Sequence, residues 1–217
     1  MPTPSSNIGI IDFGLKTLLY SKFGGLMGLT DSTTDVNLIP FDVALRETAE
    51  KRSGDKLNFI SYWRMAAGPD WDRRRSPMGR RGIEVAWQSS GHTNISVLKA
   101  VPVDIKYEVN FWVYKDKFDN LQTVTDEYIF WHDDNPSIDL TFNGFPLKFQ
   151  LYTDPLEDVS SIATQYTKGV YYVYKANVWV DGWLPKFELD FAVTKIFVKA
   201  YDINGTAPIE LYTDTVQ

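Results

Sequence analysis

Cysteine is absent from the 217 residues of this chain, so it can build neither a disulfide framework nor a thiolate metal site. That absence suits a chain that folds in a reducing cytoplasm. Histidine is scarce, with two in all. His92 lies in the turn-like stretch Ser89-Ser-Gly-His-Thr-Asn94, and no Ser/His/Asp arrangement can be assembled around it. His132 stands beside Asp133 and Asp134, but adjacent side chains rarely converge on one ion without a distant ligand. A place in the last turn of a helix, favoured by the helix dipole, is the better reading of His132. The chain also lacks a P-loop and a Gly-x-Gly-x-x-Gly loop. No apolar run approaches the roughly 18 residues a membrane helix needs, and no basic-then-apolar leader opens the sequence. The net charge of −6 argues against a general nucleic-acid binder. Glu188 and Asp190 share a strand face, with nothing to suggest a cleft around them. The expectation is a protein with no cofactor, no metal and no catalytic role. No internal repeat is visible.

What is present is apolar and aromatic. Shares of 44% and 15% fit a globular, β-rich chain, and 217 residues suffice for one domain with a core. Residues 103–131 organise the rest. Val103, Ile105, Tyr107, Val109, Phe111 and Val113 alternate with Asp104, Lys106, Glu108, Asn110, Trp112 and Tyr114, which reads as one long strand with a buried face. Pro102 is placed to begin it. The period then changes: Phe118, Leu121, Thr125, Tyr128 and Ile129 recur at three and four, so the spacing predicts an amphipathic helix over 117–131, with Asp116 as its N-cap. A second strand alternates Val170, Tyr172, Tyr174, Ala176, Val178 and Val180 against Tyr171, Val173, Lys175, Asn177, Trp179 and Asp181. Gly182-Trp183-Leu184-Pro185 follows, and Pro185 is expected to stop further pairing. If the two strands pair, Lys106, Glu108, Lys175 and Asn177 face solvent or a partner subunit.

These residues carry a resemblance. The run from Pro102 to Leu121, the segment Phe145-Pro-Leu-Lys-Phe149 and the run Ala176-Asn-Val-Trp-Val-Asp-Gly-Trp-Leu-Pro185 together resemble the tail-completion and sheath-stabiliser proteins of contractile-tailed bacteriophages. That family has a Pro-x-x-Ile-x-Tyr-Glu-Leu strand, an acidic turn, a helix, and a late strand ending in Asn-Gly-Trp-x-x-Pro. The similarity covers 98–185 well and 33–65 weakly, through Val36-Asn-Leu-Ile-Pro-Phe41 and Lys56-Leu-Asn-Phe-Ile-Ser-Tyr62. Order and spacing carry it, since each motif alone is ordinary strand sequence. The first thirty residues match poorly, and segment 73–81 has no counterpart. The resemblance implies a tail-terminator-like structural virion protein. It would form a ring, a cyclic hexamer, at the tail–neck junction, touching tube, sheath and neck proteins while DNA passes through without sequence-specific binding. Assembly would take place in the host cytoplasm. Another head–tail connector, the terminator of a non-contractile tail and, more distantly, a β-rich glycan-binding module are the alternatives.

The remaining segments are read in chain order. Leu15, Leu18, Leu19 and Phe23 predict a helix near 12–22, broken by Gly24-Gly25 and Gly28. Residues 1–29 are thus a helix or arm that covers either its own sheet or a neighbouring subunit. Residues 30–35 read as a polar loop, 36–41 as a strand, 43–52 as a helix capped by Asp42, and 57–64 as a strand. Residues 66–93 read as a long loop, relieved by a short strand at 83–87. Asn143-Gly144 marks a hairpin between strands 137–142 and 145–152. Residues 153–168 form a polar connection with a helical turn near 155–163. A last strand follows from Phe187 to Tyr201, with Lys195 and Lys199 as edge signals, and 203–217 is a tail or short closing strand.

Two groups are candidates for partner contacts. Arg73, Arg74, Arg75, Arg80 and Arg81 concentrate five positive charges in nine positions. They suit an acidic partner surface or DNA phosphates, or they are a solvated loop paired with Asp70, Asp72 and Glu84. Trp112, Trp179 and Trp183 suit the core, a subunit interface beside Lys106, Glu108 and Lys175, or a sugar-stacking platform. The fold expected is α+β: a mainly antiparallel sheet of about five or six strands with the 117–131 helix packed on one face.

Overall fold

Alternation over two long stretches dictates one long ladder, and a ladder forms. A computed structural model of the chain describes residues 7–48, 57–70, 83–88, 94–134, 136–142, 145–167, 170–192, 199–201 and 208–210. Strand β4 (Asn94–Tyr114) and strand β8 (Tyr171–Ala192) pair antiparallel from Asn94 opposite Ala192 to Tyr114 opposite Tyr171. Asp104 stands opposite Asp181, so the apolar phases of both strands share one face. The other strands assemble around this pair: β1 (Val36–Leu38), β2 (Phe59–Pro69), β3 (Ile83–Gln88), β5 (Ser137–Phe142), β6 (Phe145–Thr153) and β7 (Glu157–Asp158). The sheet order is β1-β2-β4-β8-β6-β5, with β3 added to β4 and β7 to β8. All pairs are antiparallel except β1 with β2. Strands β9 (Lys199–Tyr201) and β10 (Pro208–Glu210) form a separate two-stranded sheet. The class is mixed α+β with an open, mainly antiparallel sheet.

Both long strands outrun the sequence expectation at prolines. Pro102 lies inside β4 and not at its start. Its carbonyl accepts from the Asp70 amide at 3.0 Å, just past the end of β2. In an antiparallel ladder the carbonyl and amide positions of one residue point to the same side. The donor that Pro102 lacks therefore faces the side where β2 has run out. Pro185 does not stop β8, which continues to Ala192 opposite β4. The β6 ladder on β8 ends at Asp181, so among the described residues Pro185 sits in a strand paired on one side, where proline is tolerated. The segment 66–93 is likewise not one loop. Residues 66–69 continue β2 past a bulge at Met65, and 83–88 form β3.

Helix α1 (Asn7–Met27) passes through Gly24 and Gly25 and ends at Gly28, whose φ of +67° suits glycine. The amide of Leu29 bonds the Gly24 carbonyl at 2.8 Å and that of Gly28 the Gly25 carbonyl at 3.2 Å, a Schellman closure. Ile11, Leu15, Leu19, Phe23 and Met27, spaced by four, are fully buried against the chain's own sheet, so α1 covers its own core. Gly14 lets the helix approach Ile138 and Leu140 of β5, where an added Cβ would clash. Residues 30–35 contain a helical turn, α2 (Ser32–Asp35), capped by Asp31, whose side chain accepts from the Thr33 amide at 2.7 Å. Helix α3 (Phe41–Glu47) starts after Pro40, and Asp42 does not cap it but pairs with Arg46 at 3.6 Å.

A 3-10 turn over Lys115–Lys117 leads into α4 (Phe118–Asp133). Asp116 lies in that turn and is not the cap; Lys117 holds the cap position without a side-chain bond. The buried stripe is Leu121, Val124, Tyr128 and Trp131, while Phe118 and Ile129 are exposed. Phe23 centres the core beneath α1 and α4, with ring centroids 5.0 Å from Phe111 and 5.6 Å from Trp131. A second, smaller core lies on the opposite face, where α3 and α5 (Ser160–Thr167) cover Phe59, Trp112, Tyr171 and Val173.

Candidate partner interface

In β4 the residues Asp104, Lys106, Glu108, Asn110 and Trp112 point to one face, opposite to the face under α1 and α4. Register places Lys106 opposite Trp179, Glu108 opposite Asn177 and Asn110 opposite Lys175. The Trp112 end of this face is roofed by α3 and α5; the Lys106 end carries no helix among the described residues. There the side chains pair among themselves. The Lys106 ammonium sits 4.8 Å from the Trp179 ring centre, a cation–π contact. Lys175 Nζ lies 3.6 Å from Glu108 Oε2 in a partly buried ion pair. Asn110 donates to Glu108 Oε1 at 3.2 Å, and Asn177 donates to Asp154 Oδ2 at 3.1 Å. Trp63 stands beside Glu108 and Tyr152 beside Trp179, with exposures of 39% and 52%. Trp183, opposite Pro102, continues the same face.

Of the candidates, Lys106, Glu108, Lys175, Trp179 and Trp183 come together on this open half-face. Trp112 does not belong there. It is fully buried, stacked between Phe59 at 5.1 Å and Phe41 at 5.3 Å, and its Nε1–H donates to Ser61 Oγ at 2.9 Å. Arg73, Arg74, Arg75, Arg80 and Arg81 lie outside the described residues, as do His92 and the turn at 143–144. Trp63 and Tyr152 were missed because both phases of their strands are partly apolar, so only the register reveals their side. With Lys106 over Trp179 and Trp112 buried, the sugar-stacking platform loses two of its three rings. What remains is a partly open surface of aromatic rings and paired charges of both signs.

The covered face holds one polar cluster that composition did not announce. Asp12 of α1 is buried, and its Oδ1 accepts from Tyr107 Oη at 2.6 Å and from Arg64 Nε at 3.3 Å. A second Arg64 nitrogen bonds its Oδ2, and Tyr62 Oη donates to the Asp12 carbonyl at 3.1 Å. Burial first, and the Asp12 charge second, push the hydroxyls of Tyr62 and Tyr107 well above the ordinary tyrosine value, so both remain donors. The cluster pins α1 to β2 and β4. Beside it, an apolar groove of about 300 Å³ is lined by Ile8, Ala67, Pro69, Val103 and Ile105. His132 ends α4 with its Nδ1 2.5 Å from Thr153 Oγ1. Among the described residues no three His, Asp or Glu are placed to hold a metal, and no helix is long and apolar enough to cross a membrane. Comparison with known proteins finds no family model that matches the chain and no curated protein similar to it.

Proposed function

We propose that the chain is a structural virion protein that forms a ring, a hexamer, at the head-proximal end of a contractile phage tail. The ring caps the tube, holds the end of the sheath and faces the neck. The observation that carries the reading is the pairing of its two motif strands. The run from Pro102 and the run ending at Pro185, whose order resembles the tail-completion proteins, lie side by side in register. Their polar phases leave Lys106, Glu108, Lys175, Trp179 and Trp183 on one partly open face. A ring needs a heterologous contact that closes, and such a face supplies one side of it. DNA passes through the ring with no sequence-specific contact.

Light scattering and negative-stain imaging test the proposal. The purified chain should be in equilibrium between monomer and ring, and should dock as a ring on the ends of isolated tail tubes. A strict monomer that never binds tubes would remove the reading. A neck connector or the terminator of a non-contractile tail would bind portal-side proteins or sheathless tubes instead, and neighbouring sheath and tube genes separate these roles.

A further inference from the structure

Between α4 and β8 the covered face opens into a pocket of about 380 Å³, within the roughly 300–1,000 Å³ of ligand clefts. Helix α4 lines it with Phe118, Leu121, Gln122, Thr125 and Asp126, and β8 with Tyr174. Leu121 is buried beneath α4 and carries the helix onto the sheet, while Tyr174 packs against the same core from the strand. Gln122 and Asp126 stand one turn apart on α4, so both reach the same rim. At the start of the helix Phe118 meets Tyr172 of β8 edge to face, with ring centroids 5.2 Å apart and exposures of 42% and 38%. The Thr125 hydroxyl is used inside the helix, donating to the Leu121 carbonyl at 2.9 Å. Among the described residues, neither Gln122 nor Asp126 has a hydrogen-bond or ion-pair partner. The pocket is therefore apolar at its base and aromatic at one end, with an amide and a carboxylate at its rim.

Each class of ligand makes a different demand on such a site. A metal ion needs more donors than one carboxylate, and among the described residues no three His, Asp or Glu gather to hold one. An anion would meet the Asp126 charge. A wholly apolar group would strip water from Asp126 and Gln122 and return no hydrogen bond. A guanidinium on an aliphatic stem answers every part. Its stem lies along Leu121 and Tyr174, its plane stacks on an aromatic face, and its N–H groups donate to the Asp126 carboxylate and the Gln122 carbonyl oxygen. A lysine ammonium reaches the carboxylate but brings no planar fork. Tyr172, beside Phe118, carries the aromatic surface past the pocket mouth, where a residue next to the arginine would touch it. We propose that this pocket holds an arginine side chain presented by a protein partner, with an apolar neighbour of that arginine resting on the Phe118–Tyr172 pair. The site needs no ring, only the packing of α4 on β8.

Two-dimensional NMR titration of the full-length chain tests it with three end-capped peptides, Leu-Arg-Gly, Gly-Arg-Gly and Leu-citrulline-Gly. Citrulline keeps the shape of arginine and loses its charge. Leu-Arg-Gly should shift the Gln122 side-chain amide and the nearby α4 amides saturably, with a Kd of about 1 mM. The citrulline peptide should bind at least about fivefold more weakly, having lost both the ion pair and the cation–π contact. Gly-Arg-Gly should bind about threefold more weakly, for want of the apolar neighbour. Asp126→Asn and Phe118→Ala should each weaken Leu-Arg-Gly by about threefold. Both positions are exposed, so the rest of the spectrum should be unchanged, and the peptide comparison on the wild type stands without the variants. Equal binding of the arginine and citrulline peptides would overturn the proposal. So would shifts centred away from α4 and β8, or none at all up to about 20 mM peptide. Equal binding of Leu-Arg-Gly and Gly-Arg-Gly would overturn the protein partner and leave a free guanidino compound as the occupant.

Discussion

Asp12 is the residue on which two layers depend. One carboxylate on α1 receives Arg64 from β2 and Tyr107 from β4, so removing it leaves a guanidinium facing apolar surroundings. Asp12→Ala should cost about 3 kcal/mol, the lower end for a broken buried pair, since the Arg64 side chain retains 32% exposure. Replacing both partners by apolar residues of similar size should cost less than the single change. Urea unfolding of the three variants gives the comparison; equal losses would show that the pair is not coupled. The same neighbourhood predicts a response to alkali. Tyr62, Tyr107 and Tyr128 hold their protons more tightly folded than unfolded, chiefly through burial, with Tyr128 pushed up to about 12. Stability from this source is complete below the ordinary tyrosine value of about 10 and is lost as pH rises through the folded values. Urea midpoints should therefore hold level to about pH 9.5 and fall beyond it, and Tyr107→Phe should shallow the fall. A level profile to about pH 11.5 would contradict the burial of these hydroxyls.

At the scale of elements, α4 is joined to the sheet by four side chains, and Leu121, 1% exposed, is the one nearest its start. Leu121→Ala should lower stability by about 2–4 kcal/mol, measured by thermal or urea unfolding. A loss below about 0.5 kcal/mol would be that of a surface site. Gly182 makes a complementary case. An added Cβ there would collide with the Phe149 ring, so Gly182→Ala should cost about 1–3 kcal/mol through overpacking. These elements show which parts of the fold the sequence displays. Alternation marked β4 and β8 because half of each strand's residues must be apolar when one face is buried. It also put Lys106, Glu108, Lys175 and Asn177 on matching phases, and the register sets them on one face. It could not tell how far along a strand a helix lies above the second face, and this is why core and interface both stayed open for Trp112, which is core. Proline reads as a strand boundary, a start at Pro102 and a stop at Pro185, because local preference ignores the neighbouring strand. At Pro102 and Pro185 the ladder on one side has already ended, so the missing donor costs little. The Asp12 cluster left no trace, because its members come from three distant segments and each looks ordinary alone.

At the scale of the whole molecule, the described residues form a sheet covered along one face by α1 and α4 and over part of the other by α3 and α5. The uncovered remainder gives a further expectation. Lys106→Glu with Trp179→Ser should leave the unfolding midpoint nearly unchanged, as surface changes do, while weakening association measured by light scattering. Unchanged association would move the contact away from this face. The long ladder has a mechanical consequence. Strand β4 alone is 21 residues, about 70 Å along its contour, whereas a globule of this length is about 45 Å across. Its far part, paired to β3 on one side and β8 on the other, forms a three-stranded ribbon. Load applied along such a ribbon is shared by all its cross-strand bonds at once, in shear, whereas load applied at one end would peel them singly. Tension along its own axis is therefore the load this ribbon resists best.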